Sequence, residues 1–155
     1  MKTCWIILLL TSTSPVFAAG ASPLCPLVAE LNRYLTENTA YDAVACPEIG
    51  VSVLAADGSL RSQAGAYYPD TGRIELASDL NLSAAYGKSF LLHEMVHAAQ
   101  FAAGMDQRVP CPEMLEAEAY RLQAGYQREA GLMREAVLTG FLADQLGSCG
   151  AAPEY

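Results

Sequence analysis

Ser83-Ala84-Ala85-Tyr86-Gly87-Lys88-Ser89-Phe90-Leu91-Leu92-His93-Glu94-Met95-Val96-His97-Ala98-Ala99-Gln100-Phe101-Ala102-Ala103, followed by Gly104, is the stretch on which the fold turns. Leu91, Met95, Ala98 and Ala102 recur three or four apart, and Leu92, Val96 and Ala99 widen the same stripe. The spacing predicts a helix from Ser83 to about Ala103. Gly104 stands where such a helix would stop. A helix this apolar belongs in the interior.

Outward from that helix, the sequence alternates turn signals with short periodic runs. Toward the N-terminus, Ala64–Tyr68 and Arg73–Ala77 flank Pro69-Asp70-Thr71-Gly72, whose composition favours a tight reversal, so a β-hairpin is expected. Ile74 and Leu76 would share one of its faces, with Glu75 on the other. Ile49–Leu54, after Cys46-Pro47, is partly β-branched and alternating, and reads as a strand. Before it, Leu27, Val28, Leu31 and Leu35 mark an amphipathic helix over Pro26–Thr36. On the C-terminal side a loop, Met105–Pro112, leads to a helix from Glu113 to about Ala130. Gly131 then separates it from a last helix, Leu132–Leu146. The fold class expected is α+β: mostly helical, with a small antiparallel sheet or hairpin packed on the central helix.

Composition bounds what such a domain does. The chain has 155 residues, 52% of them hydrophobic, with no repeat or low-complexity tract, which suits one core. A formal charge of -8 argues against a phosphate-binding surface, so nucleic acid is excluded as a partner. Met1-Lys2, the apolar run Trp5–Leu10 and Val16-Phe17-Ala18 together read as a signal peptide over residues 1–18, cleaved after Ala18, with Ala19 as a near alternative. The apolar run is interrupted by Thr11-Ser12-Thr13-Ser14-Pro15 and is too short to span a bilayer, so no stable membrane anchor should remain. Residues 19–155 then form a single exported domain, periplasmic or secreted, with Lys2 removed and the charge at -9.

Cysteine usage agrees with export. Cys4 leaves with the signal, and Cys25, Cys46, Cys111 and Cys149 remain as an even set, with no C-x-x-C pair to suggest metal binding. Of the three possible connectivities, Cys25–Cys46 with Cys111–Cys149 is favoured, because each bridge staples a terminal region to its neighbour. Asn81-Leu82-Ser83 is an N-glycosylation sequon, which bears only on a eukaryotic source.

The chemistry lies in Leu92-His93-Glu94-Met95-Val96-His97, an H-E-x-x-H run that uses both histidines of the chain. On a helix, residues four apart share a face, so the two imidazoles converge where a tetrahedral Zn²⁺ could sit, one per chain. Two imidazoles and a carboxylate leave a fourth position for water, whose pKa falls toward about 7 on zinc. Glu94 would take the proton from that water and pass it to a leaving amine. The helix from Glu113 offers Glu113, Glu116 and Glu118 for the remaining ligand. Glu116 and Glu118 point about 160° apart, so they cannot both project straight at one ion. Gln100 lies on the His93 and His97 face, where it would hydrogen-bond a ligand or cap the cleft. Tyr67, Tyr68 and Tyr120 offer phenols, and none of them stands out as an oxyanion donor.

Glu116-Ala117-Glu118-Ala119, nineteen residues beyond His97, resembles the E-x-x-A element of the gluzincins, zinc peptidases in which a glutamate from a later helix completes an H-E-x-x-H site. The resemblance covers roughly residues 64–125 and looks like a minigluzincin core. It is also similar to small exported bacterial proteins with the same layout. A zincin-like fold, a zinc-dependent peptidase and a peptide or protein substrate are what it implies. It puts Glu116 in the ligand place, with Glu118 as the alternative or as a supporting partner. Tyr120 departs from the pattern, standing where many such enzymes carry Asp or Asn. The resemblance also implies that Arg73–Ala77, ahead of the motif helix, is an edge strand to which an extended substrate adds. A metzincin would continue with Gly and a third His, and Gln100 and Ala103 occupy those places. The other expectation is a non-catalytic zincin-fold module serving metal binding or protein interaction.

Overall fold

A computed structural model of the chain describes residues 22–52 and 64–149. The signal-peptide reading over residues 1–18 and the far end of the first strand lie outside them. Among the described residues the architecture is α+β: four α-helices and one three-stranded sheet. The chain order is α1 (Cys25–Asn38), β1 (Ile49–Ser52), β2 (Gly65–Tyr68), β3 (Arg73–Ala77), α2 (Ala85–Ala102), α3 (Glu113–Glu129) and α4 (Met133–Leu146), with a 3₁₀ turn at Met105–Gln107 between α2 and α3.

The expected hairpin is present. β2 and β3 pair antiparallel with Tyr68 opposite Arg73, and the reversal closes on Tyr68 O, which accepts from the N–H groups of Thr71 and Gly72. Gly72 has φ 66°, a left-handed conformation that costs glycine nothing. Ile74 and Leu76 are buried together, as their period-2 spacing requires.

The sheet differs from expectation in order. β1 pairs parallel with β3, so the order is β1-β3-β2 and the sheet is mixed rather than purely antiparallel. Arg73–Ala77 is therefore the central strand, both of its edges already hydrogen-bonded, and it cannot accept an added strand. Among the described residues the edges are β1 and β2. The physical reason is that Ile49, placed opposite Ile74 on the free side of β3, packs against the core. Hairpin signals reveal local pairs and carry no information about this longer-range one.

α2 is the axis of the molecule. Its Leu91, Leu92, Met95, Val96 and Ala99 form one core with Val28, Leu31 and Leu35 of α1, Ile74 and Leu76 of β3, and Ala119 and Leu122 of α3. The helix begins two residues later than its apolar spacing suggests. Asn81 turns the chain ahead of it: its carbonyl accepts from Ala84 N–H, and its side-chain oxygen accepts from Ser83 N–H. That carbonyl lies so close over Gly87 that a Cβ there would collide with it. Gly104, at φ 67°, ends the segment where expected.

Two disulfides close the termini, Cys25–Cys46 and Cys111–Cys149, in the favoured connectivity. They fit an oxidising environment. No helix among the described residues is long and apolar enough to cross a membrane. The first disulfide works beside Asn32, whose side chain both donates to Val44 O (2.8 Å) and accepts from Val44 N–H (2.9 Å), pinning the segment that leads to β1.

Candidate metal centre

Helical pitch brings His93 and His97 together on α2, with ring centroids 4.9 Å apart and Nε2 atoms 3.2 Å apart. From α3, the Glu116 carboxylate reaches both: Oε2 lies 3.3 Å from His93 Nε2 and Oε1 lies 3.4 Å from His97 Nε2. One ligand atom from each residue lies within 4.8 Å of the others. Zinc bonded to two imidazoles at about 2.0–2.1 Å in tetrahedral geometry would hold the nitrogens about 3.3–3.4 Å apart, so the spacing suits such an ion.

Glu118 is turned to other work. Its Oε2 accepts from the Tyr41 hydroxyl (2.6 Å) and from Gln100 Nε2 (2.9 Å), so it supports the site from behind. The 160° between neighbouring glutamates thus separates two roles. Gln100, which sequence left between capping the cleft and holding a ligand, meets His97 Nδ1 with its Oε1 at 2.9 Å. On the other ring, Gln123 Oε1 stands 3.1 Å from His93 Nδ1.

Glu94 is 6% exposed and lines the same cleft as the three convergent residues. Burial raises its pKa above the ordinary carboxylate value, and Glu116 adds to the rise. The two histidines and the Tyr67 backbone N–H, which hydrogen-bonds the carboxylate, pull the other way without cancelling it. For Glu116, burial also pushes upward, but hydrogen bonds and charge from the two imidazoles outweigh it and hold this carboxyl well below its usual range. The reciprocal holds for His97: burial disfavours its charged form, yet bonding to Glu116 and the nearby Glu94 charge leave its pKa raised.

The cleft encloses about 810 Å³. Its floor is α2 and its rim on one side is β2, through Gly65, Ala66 and Tyr67. Gly65 is there for space rather than for φ: a Cβ on it would stand 2.7 Å from Glu94 Oε1. Tyr67 packs on Phe101, Tyr120 lays its ring 4.5 Å from that of His93, and Tyr68 is exposed and contributes nothing to the lining.

Four contributors escaped the sequence reading. Gln123 and Gln127 fall seven and eleven residues after Glu116, a polar row at helical spacing on a largely buried helix, which is a signal that was there to be read. Ser89 and Tyr41 carry none, because their partners lie 34 and 77 residues away in sequence.

A family model described as a domain of unknown function, DUF6647, matches residues 20–139, and the chain belongs to that family. No curated protein and no solved structure matches it.

Proposed function

We propose that this member of the DUF6647 family is an exported zinc-dependent metallopeptidase of gluzincin type, periplasmic or secreted, that hydrolyses peptide bonds. The observation that carries the reading is the convergence of His93, His97 and Glu116 on one point, with the buried Glu94 in the same cleft. Two neutral imidazoles and one carboxylate form a donor set suited to Zn²⁺. When bound there, zinc would polarise a carbonyl and lower the pKa of a water.

The chain's own residues supply the rest. Glu94 has a pKa raised by burial, which makes it a better proton acceptor than an ordinary surface carboxylate and lets it return the proton to a departing amine. Glu116, held anionic, offers charge to the cation. The outer edge of β2, unpaired among the described residues, borders the cleft and replaces β3 as the place where an extended peptide could lie, with Gly65 and Ala66 presenting backbone beside Glu94. Export is supported by the N-terminal signal pattern and by the two disulfides.

The test is elemental analysis and peptide hydrolysis on the same preparations. The wild-type chain should hold about one zinc, and His93→Ala none. Glu94→Gln should keep zinc and lose roughly 10²–10⁴-fold in hydrolysis, the range for removing a general base. Equal turnover with and without Glu94 would defeat the mechanism. A zinc-loaded wild type that hydrolyses no peptide would leave the metal-binding module as the function.

A further inference from the structure

We infer that Gln100 and Gln123 are the positioning residues of this centre: each accepts the Nδ1–H of one histidine, so that each ring in its neutral form turns an unprotonated Nε2 toward Glu116. The inference rests on the proposed metal reading for its meaning, but the hydrogen-bond directions can be worked out without any ion.

A backbone carbonyl and a carboxylate oxygen can only accept. Gln100 has its Nε2 3.0 Å from the backbone carbonyl of Leu115 and 2.9 Å from the Glu118 carboxylate. Only the amide NH₂ can serve both, which leaves Oε1 to face His97 Nδ1 at 2.9 Å. An amide oxygen accepts, so that ring nitrogen must carry the hydrogen.

An independent chain orients the other ring. Ser89 donates its one hydroxyl proton to the carbonyl of Tyr86 at 2.7 Å. Its oxygen can then only accept, and it receives Gln123 Nε2 at 3.3 Å and Gln127 Nε2 at 3.0 Å. Gln123 is thereby forced to present Oε1 to His93 Nδ1, at 3.1 Å. Both chains run outward from the centre and end on fixed acceptors, a backbone carbonyl in one and a carboxylate anchored by Tyr41 in the other.

Burial makes this costly unless it serves something. Gln100, Gln123, Gln127 and Ser89 are each no more than 1% exposed, in a region where apolar side chains of similar size would pack without needing partners. What the amides secure is a tautomer. Two Nε2 lone pairs and a carboxylate at 3.2–3.4 Å repel one another unless a proton or a cation lies among them. The chemistry of the acceptors matters too. Each ring leans on a neutral amide rather than a carboxylate, and the nearest supporting charge, Glu118, reaches His97 only through Gln100. The Nδ1 partners of both rings are thus amide oxygens, which fix orientation through hydrogen-bond geometry.

The experiment uses the full disulfide-bonded chain with two readouts. The first is the imidazole ¹⁵N spectrum of the metal-free protein at alkaline pH, which reports the tautomer of each ring. The second is zinc affinity against a competing chelator. Wild type should show hydrogen on Nδ1 in both rings. Gln123→Met, which keeps length and removes the acceptor, should release His93 to the Nε2–H form favoured by free imidazole, leave His97 unchanged, and weaken zinc binding about 10–100-fold. Gln100→Met should do the same to His97. Gln123→Glu, which keeps an acceptor, should retain the Nδ1–H form and bind zinc at least as tightly as wild type.

A folded Gln123→Met protein with an unchanged His93 tautomer would overturn the inference, as would an Nε2–H form in the wild type, a result that needs no variant to fold. Wild-type tautomers as stated in a chain that binds no zinc would instead defeat the metal reading and leave the positioning role standing.

Discussion

α2 and α4 are both rich in apolar residues, yet they meet solvent in opposite ways. α2 buries twelve of its residues, including His93, Glu94, His97 and Gln100, between the sheet and α3. α4 buries only Ala136, Thr139 and Ala143 against α3, and turns Met133, Val137, Leu138, Phe141 and Leu142 outward. Composition is similar and consequence is not. α2 packs against α1, the sheet and α3, so its large side chains make the core. α4 approaches α3 through small residues, a close contact that removes little apolar area. The site accordingly belongs to the part of the molecule with the greatest packing constraint, where a side chain can be held to a fraction of an ångström.

That contrast should break first at the core. Leu92→Ala deletes a fully buried side chain from α2 and should cost about 2–5 kcal/mol, read as a lower denaturation midpoint at an unchanged slope. A cost below about 1 kcal/mol would mean that α2 is not the axis described.

The second disulfide ties α4 to the rest of the chain from outside, and its removal should hurt less than the core deletion at its upper end. Cys111→Ser with Cys149→Ser opens a bridge with a sequence separation of 38 and should cost about 2–4 kcal/mol. On the proposed function the variant should bind zinc as the wild type does, because none of His93, His97 and Glu116 lies on α4 or in its tether.

Gly65 tests the close packing on the cleft side of α2. Gly65→Ala should cost about 1–3 kcal/mol and, on the proposed function, depress hydrolysis more than zinc binding, since the added methyl presses on Glu94 and not on His93, His97 or Glu116. Zinc titration and turnover on one preparation separate the two effects.

Acidity probes the same buried cluster. Glu116 sits below its ordinary value of 4.5, so its share of stability is present above that value and fades as pH falls further. His97 sits above its ordinary 6.5, so its share is present below 6.5 and is lost as pH rises through the raised value. Glu94, also raised, is lost in the same upward direction. Metal-free protein should therefore melt highest in the mildly acidic window between the two ordinary values. On the proposed function zinc would displace the His97 proton, so the rise in melting temperature on adding zinc should grow from about pH 5.5 to 8. Calorimetry with zinc and with chelator at both ends of that range checks both signs.

How much of this was legible in the sequence follows the same divide. α2, α3, the hairpin and the disulfide pairing could be read because their signals are local: apolar spacing, Pro-Asp-Thr-Gly, an even set of cysteines. His93, His97 and Glu116 could be brought together on paper because one helical turn and one motif resemblance specify them. The β1–β3 pairing could not, since parallel neighbours need no turn signal between them. Nor could the supports behind His93 and His97. Ser89 and Tyr41 act through one hydroxyl each, placed by the packing of distant elements, and nothing in their neighbours marks them.

The smallest effect belongs to the outer face of α4. Phe141 is 61% exposed and Leu138 59%, so Phe141→Ser or Leu138→Ser removes little that folding has buried and should change stability by no more than about 0.5 kcal/mol. Solubility should rise, because a row of large apolar residues leaves the surface. The measurement is a urea titration of each variant beside Leu92→Ala. A loss above about 2 kcal/mol from either surface change would require α4 to be covered in solution, and the difference between the two helices would then lie in what covers them rather than in how they pack.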